Sequence, residues 1–207
     1  MRFILKAILI ILGILGTLFI GFLIFLHFAF DGLFTGPTYN KSDLIANYEN
    51  RKSEIIDVRD YYKSILPENK SVSIEFGKGK DLKIFHFRND SIYESNWNLK
   101  IGTPKVDSIL NELKWTENEL NKLKEKLKAA NCISIGGAEP TVIGWQRSVM
   151  GKFSYVIFNQ NLNEEKIKDY NDGCTNIFYK DNVVLEYGGG AIGMQCFAEY
   201  YKNKETK

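Results

Sequence analysis

Residues 71–88 read SVSIEFGKGKDLKIFHFR. Val72, Ile74 and Phe76 alternate with Ser71, Ser73 and Glu75, the two-residue period of a strand with one buried face. Gly77-Lys78-Gly79-Lys80-Asp81 turns the chain, and LKIFHFR at 82–88 brings it back. Successive side chains of a strand point to opposite faces, so Phe85 and Phe87 share one face and His86 takes the other. An isolated hairpin is marginal in water, so further strands or a helical layer must cover its apolar face.

The flanking sequence supplies that cover. Upstream, Leu44, Ile45, Tyr48, Ile55, Tyr62 and Ile65 recur at helical spacing and predict a helix over 43–66, ended by Pro67. Downstream, Asn89, Asp90 and Ser91 break the strand, and a shorter strand is expected around Trp97–Ile101. Two helices follow, at 105–113 and 117–130. The second opens on Thr116-Glu117-Asn118-Glu119, a capping box in which hydroxyl and carboxylate satisfy free backbone donors reciprocally. The remainder is mostly strand: 132–135, 141–150, 153–158, 175–180 and 183–187. Gly151-Lys152 suits a two-residue type II′ turn and Asp181-Asn182 a second hairpin. Residues 159–173 read as a long loop or short helix, and the chain from Met194 as a strand or short helix. This order predicts an α+β fold: a two-layer domain of antiparallel β-sheet with helices on one face.

The N-terminus belongs to a different regime. Ala7–Phe30 reads AILIILGILGTLFIGFLIFLHFAF, with no formal charge and with Arg2 and Lys6 before it. As a helix it reaches roughly 36 Å against a hydrocarbon core of about 30 Å. The expectation is a signal-anchor transmembrane helix within 1–30 (span about 7–30), a turn-rich juxtamembrane linker at 31–40, and an extracytoplasmic domain at 41–207. Membrane lipid is then the partner of residues 7–30. Cations stay cytoplasmic, which puts the N-terminus inside and residues 31–207 outside. The rival readings are a buried core helix and a cleaved secretory signal that releases the domain. The apolar run is longer than a usual signal core and ends in bulky residues.

Composition narrows the partners. The chain has 27 Lys+Arg and 25 Asp+Glu, and residues 1–30 hold Arg2, Lys6 and no acid, so the outer domain is formally neutral. That argues against nucleic acid and against an acidic-lipid surface, which need a basic patch. Lys122, Lys124, Lys126 and Lys128 read as a solvated helix face. Of three cysteines, Cys174 and Cys196 flank a predicted hairpin and make the most plausible disulfide in an oxidising compartment. Two histidines and no C-x-x-C leave no zinc site, and no metal is assigned.

Residues 188–193, GGGAIG, formally match the dinucleotide fingerprint, but no second strand of a βαβ unit and no acid in the expected place follow them. A nucleotide cofactor is not expected, nor any other. The candidate binding residues are Trp145, Arg147, Gln146 and Glu139, in the stretch from Gly136 to Ser148. Arg147 offers a bidentate clamp for a carboxylate and Trp145 a stacking ring. In simple alternation Trp145 and Arg147 share one face, and Gln146 and Ser148 the other. No catalytic residue is assigned. The leading expectation is an envelope-exposed module that binds a protein or small envelope ligand. The alternative is a hydrolase-like envelope enzyme using His86 with Arg147, or a carboxylate pair.

Overall fold

The computed structural model describes residues 2–29, 39–88, 93–148, 151–189, 193 and 195–205. The chain divides into two compact units, Met1–Thr38 and Tyr39–Lys207. The first unit holds one helix, α1 (Arg2–Ala29), whose side chains from Leu12 to Phe25 are all exposed. Among the described residues no helix is long and apolar enough to cross a membrane. In α1 the described run from Leu12 to Phe25 amounts to about 21 Å of helix. Most of the expected linker, residues 31–38, lies outside the described residues.

The second unit is α+β. It begins with α2 (Lys41–Ile65), where Asn40 and Asp43 form a reciprocal capping box at 3.0 and 3.1 Å. Strands β1 (Ser71–Phe76), β2 (Asp81–Arg88) and β3 (Tyr93–Lys100) form a meander. Helices α3 (Pro104–Leu113) and α4 (Glu117–Ala129) then carry the chain back to the middle of the sheet. There β4 (Ser134–Gly136) pairs with β1, and β5 (Thr141–Ser148) and β6 (Gly151–Ile157) continue outward. After a single-turn helix, α5 (Glu164–Asp169), the hairpin of β7 (Asn176–Lys180) and β8 (Val183–Gly188) completes the sheet. A last helix, α6, spans Ala198–Glu205. The strand order is β3-β2-β1-β4-β5-β6-β8-β7, antiparallel throughout.

The main core lies between one sheet face and α2, α3 and α4. Leu44, Ile55, Val58 and Tyr62 of α2 and Leu120, Leu123 and Leu127 of α4 meet Ile74, Phe85, Phe87, Ile143 and Tyr155 from the strands. A polar link crosses this layer. Asn47 Nδ2 donates to the Tyr155 hydroxyl at 3.0 Å and to the Ala130 carbonyl at 3.3 Å. Its Oδ1 accepts from Asn131, and Tyr155 donates onward to the Leu44 carbonyl at 2.8 Å. Burying these polar groups is tolerated because each has a partner.

Three features depart from the sequence reading. The helices are not confined to one face: Ile167 and Tyr170, from α5 and the residue that ends it, pack on the opposite face against Val142, Val156, Val184 and Phe178. β3 begins at Tyr93, earlier than expected. Gly151-Lys152 is strand and not turn, since Gly151 pairs with Ser148 and the connection is residues 149–150, outside the described residues. Gly151 instead gives room to the Tyr187 ring, which an added Cβ would meet at 2.7 Å. Of the glycine-rich 188–193, Gly188, Gly189 and Gly193 have positive φ and Gly190–Ile192 lie outside the described residues.

Candidate functional site

The sheet face away from α2–α4 is covered by α5 toward its β6-β8-β7 end, reaching Val142 at the start of β5. Across the rest, the register lines up one row of residues from edge to edge. Trp97 stands opposite Ile84, Ile84 opposite Glu75, Glu75 opposite Ser134, Ser134 opposite Gly144, Gly144 opposite Ser154 and Ser154 opposite Glu186. Directly opposed residues of an antiparallel ladder project to the same side. The row therefore places two carboxylates, two hydroxyls and an indole on one face, which among the described residues of this unit no long helix covers.

Glu75 is the centre of this face. Its side chain is only 5% exposed, yet Arg147 grips it twice, Nε to Oε1 at 2.7 Å and an NH2 donor to Oε2 at 2.8 Å. Lys152 adds a third contact, with Nζ 3.3 Å from Oε2 and 2.9 Å from the Ser134 hydroxyl. A paired and hydrogen-bonded carboxylate can be buried where an isolated one cannot. The Arg147 side chain remains 44% exposed, so the guanidinium edge not turned to Glu75 faces solvent. Burial lowers the Lys152 ammonium below the ordinary lysine value, with Glu75 pulling the other way. On the neighbouring strand, burial raises the Glu186 carboxyl, and Lys152 opposes that shift.

Two local devices build the cluster. Gly144 leaves the space through which Lys152 reaches Ser134: a Cβ there would sit 2.1 Å from Ser134 Oγ and 2.9 Å from Lys152 Cδ. A β-bulge between Gly144 and Gln146 then puts one extra residue into β5. Arg147 pairs with Lys152 and joins the open face, whereas Trp145 turns into the main core beside Tyr39 and Phe153.

The bulge corrects the expected sharing of one face by Trp145 and Arg147. Trp145 is buried and presents no stacking surface. Gln146 Nε2 reaches the Asn131 carbonyl at 3.5 Å, at the helical side. Glu139 lies before β5 and accepts from the Asn159 backbone, some eight residues and roughly 25 Å of strand from Arg147. Of the four candidate residues, only Arg147 belongs to the open-face cluster.

Arg147 and Glu75 line a groove of about 760 Å³ that continues over Ile84 and Trp97, with the β1–β2 turn as a wall. Trp97 is 59% exposed and its ring is fixed: Nε1 donates to Ser95 Oγ at 3.1 Å, and His86 packs edge-on with centroids 4.8 Å apart. Ser95 Oγ also lies 3.0 Å from His86 Nε2 and Tyr93 OH 3.4 Å from Nδ1. Partial burial lowers the His86 pKa. His86 and Arg147 are not brought together, since β1 and β4 separate their strands by about 14 Å in all. Among the described residues no group of three His, Cys, Asp or Glu has a metal-binding arrangement.

Cys174 and Cys196 are joined by a disulfide, and Cys132 is buried as a free thiol whose ionisation burial disfavours. The disulfide ties the C-terminal segment to the start of β7, and Phe197 beside it packs into the main core against Tyr187 and Phe153.

Comparison of the chain with protein families, with characterised proteins and with solved structures finds no match.

Glu75, Lys152, Ser134 and Gly144 are absent from the sequence-derived candidates, whereas Trp97 is among the sheet aromatics expected to line an open face or groove. Glu75 reads there as an ordinary outward residue of a half-polar strand. The available signal was the hairpin carrying Arg147 and Lys152 on either side of a connection, two cations that call for an acid on a neighbouring strand.

Proposed function

We propose that this chain is a single-pass, membrane-anchored envelope protein whose extracytoplasmic α+β domain binds a small ligand in the open-face groove. The observation that carries the reading is Arg147. Its guanidinium is aimed by a buried carboxylate and left half-exposed at the mouth of a groove beside a fixed, exposed indole. Pre-oriented cations and rings lower the entropic cost of binding. The anchor rests on the uncharged run from Ala7 to Phe30 and on the 28-residue helix that contains most of it. The extracytoplasmic side is supported by Arg2 and Lys6 before the span and by the Cys174–Cys196 disulfide, which persists in oxidising compartments.

Two measurements test this reading. Alkaline extraction of membranes should leave the full chain in the pellet with its N-terminus uncleaved, and externally added protease should reach the domain in intact spheroplasts. Release with a shortened N-terminus would instead establish the secreted alternative. For the groove, a small-molecule library screened by thermal shift against the full chain in detergent should yield compounds that stabilise wild type and not Arg147→Gln. A library without such compounds refutes the binding role.

A hydrolase-like reading has one observation in its favour, the 3.0 Å contact between Ser95 Oγ and His86 Nε2. In that reading His86 deprotonates Ser95, with the Tyr93 hydroxyl on the far ring nitrogen. Labelling of Ser95 by a fluorophosphonate, abolished in His86→Ala, would establish it over the binding role.

A further inference from the structure

We infer that the groove between Arg147 and Trp97 takes an acidic sugar, a hydroxylated ring carrying a carboxylate or phosphate group. The inference rests on the binding reading above and specifies its ligand.

The anionic group follows from charge and donor accounting. The groove lining contributes Lys78, Lys83 and Arg147 against Glu75 and Asp81, and behind Glu75 stand Lys152 and its neighbour Glu186, so cations outnumber carboxylates four to three. Arginine has five N–H donors. Glu75 takes the Nε donor and one on NH2, leaving three, of which one from each terminal nitrogen shares the far edge of the guanidinium. Two parallel N–H groups on that edge match the spacing of two oxygens of a carboxylate or phosphate. Because Glu75 holds the guanidinium in place, a second anion meets a donor pair that is already oriented.

The ring follows from Trp97. With Nε1 satisfied by Ser95 and His86 packed against it, the indole offers its remaining surface to the groove as an apolar platform. Trp97 and Glu75 are two strands apart, about 10 Å, and Arg147 reaches Glu75 from a strand two further on, so platform and anion seat lie toward opposite ends of the one groove that both line. The wall between them carries Asp81 and Asn98, and Lys78 and Lys83 stand nearby. A ligand with no donors of its own would strip water from Asp81 and Asn98 without replacing its hydrogen bonds, which is costly. Sugar hydroxyls both donate and accept, while the C–H face of the ring packs on indole. A groove of about 760 Å³ has room for more than one such ring.

Trp97 also supplies the measurement. Trp115 and Trp145 are buried and Trp97 is exposed, so iodide quenching of tryptophan fluorescence reports on Trp97. The full chain in detergent micelles is titrated with glucuronic acid, N-acetylmuramic acid and glucose 6-phosphate. The neutral counterparts are glucose and N-acetylglucosamine, and N-acetylphenylalanine is the non-sugar anion. Acidic sugars should shield Trp97 with dissociation constants at least about tenfold below those of the neutral sugars, the size of one charge-assisted hydrogen bond. The carboxylate and phosphate arms separate the two anion sources. By ligand-observed NMR, Arg147→Gln should weaken binding about tenfold or more and Trp97→Ala similarly. Trp97→Ala alters only an exposed position, which separates loss of binding from loss of fold. Equal affinity for acidic and neutral sugars overturns the inference. Arg147-dependent binding of N-acetylphenylalanine without the sugars also overturns it while leaving the groove a binding site. If no probe shields Trp97, the inference is overturned, and the library screen against wild type and Arg147→Gln decides the binding role separately.

Discussion

The alkyl chain of Lys152 fills the space in which a side chain at Gly144 would stand. A Cβ there would lie 2.9 Å from Lys152 Cδ and 2.1 Å from Ser134 Oγ. The φ of Gly144 lies outside the left-handed range, so close approach alone explains the glycine. Gly144→Ala must push Lys152 off Ser134 and away from Glu75, and overpacking of this kind costs about 1–3 kcal/mol. Urea denaturation of the full chain in detergent should show that loss. Lys152→Met, which keeps the stem and removes the ammonium, should make the alanine less harmful, and an unchanged Gly144→Ala cost in that background would refute the coupling.

The acid side of the stability profile should carry the signature of Glu186. Burial raises its carboxyl above the ordinary value of 4.5. The folded protein therefore keeps this proton over a pH range in which the unfolded chain has released it. By linkage, Glu186 then makes stability fall as pH climbs from 4.5 through the raised value, and the full penalty applies above it. Glu186→Gln removes the charge and should be more stable than wild type at pH 7. The advantage should shrink as the pH drops toward 4.5. A pH-independent difference in urea midpoints would show that Glu186 titrates normally.

Asn47 should behave as a specific crosslink between layers. Its amide joins the Tyr155 hydroxyl of β6 to the Ala130 carbonyl and the Asn131 side chain at the end of α4. Asn47→Leu keeps the volume approximately and leaves the Ala130 carbonyl and Asn131 amide short of a partner. A cost of about 2–3 kcal/mol follows from leaving buried polar groups unsatisfied. A denaturation midpoint within error of wild type would mean that water replaces the amide.

Thiol titration settles the cysteine state. Protein unfolded without reductant should yield one reactive thiol, from Cys132, and after reduction three. The bridge closes a separation of 22 residues, for which chain-entropy arguments give about 3 kcal/mol. Cys174→Ser should lower stability by that order and expose Phe197 to limited proteolysis. Three thiols before reduction would exclude the bridge.

Features specified by neighbouring residues were legible in the sequence. Thr116 and Glu119 announce the start of α4 because both halves of the capping box lie within one turn, and the structure forms both bonds. The strands at 71–76 and 82–88 are equally local, since alternation alone sets their faces. The charge cluster is not local. Glu75 meets Arg147 and Lys152 across 72 and 77 residues of chain, and its burial depends on which strand lies next to β1. The insertion of β4 beside β1 is a topological fact that no stretch of sequence encodes by itself. Trp97 was visible as a strand residue, but only the edge position of β3 leaves it uncovered.

The bulge at Trp145 has a consequence for β5 as a whole: it shifts the strand's reading frame by one. Before it, the even-numbered positions Val142 and Gly144 look to the open face and odd-numbered Ile143 to the core; after it, odd-numbered Arg147 looks outward. Deleting residue 145 would remove the bulge and keep a single frame in which Gln146 still faces the core and Arg147 still stands opposite Lys152 on the open face. The bulge thus lets Trp145 enter the core without taking the Arg147 guanidinium from the buried carboxylate.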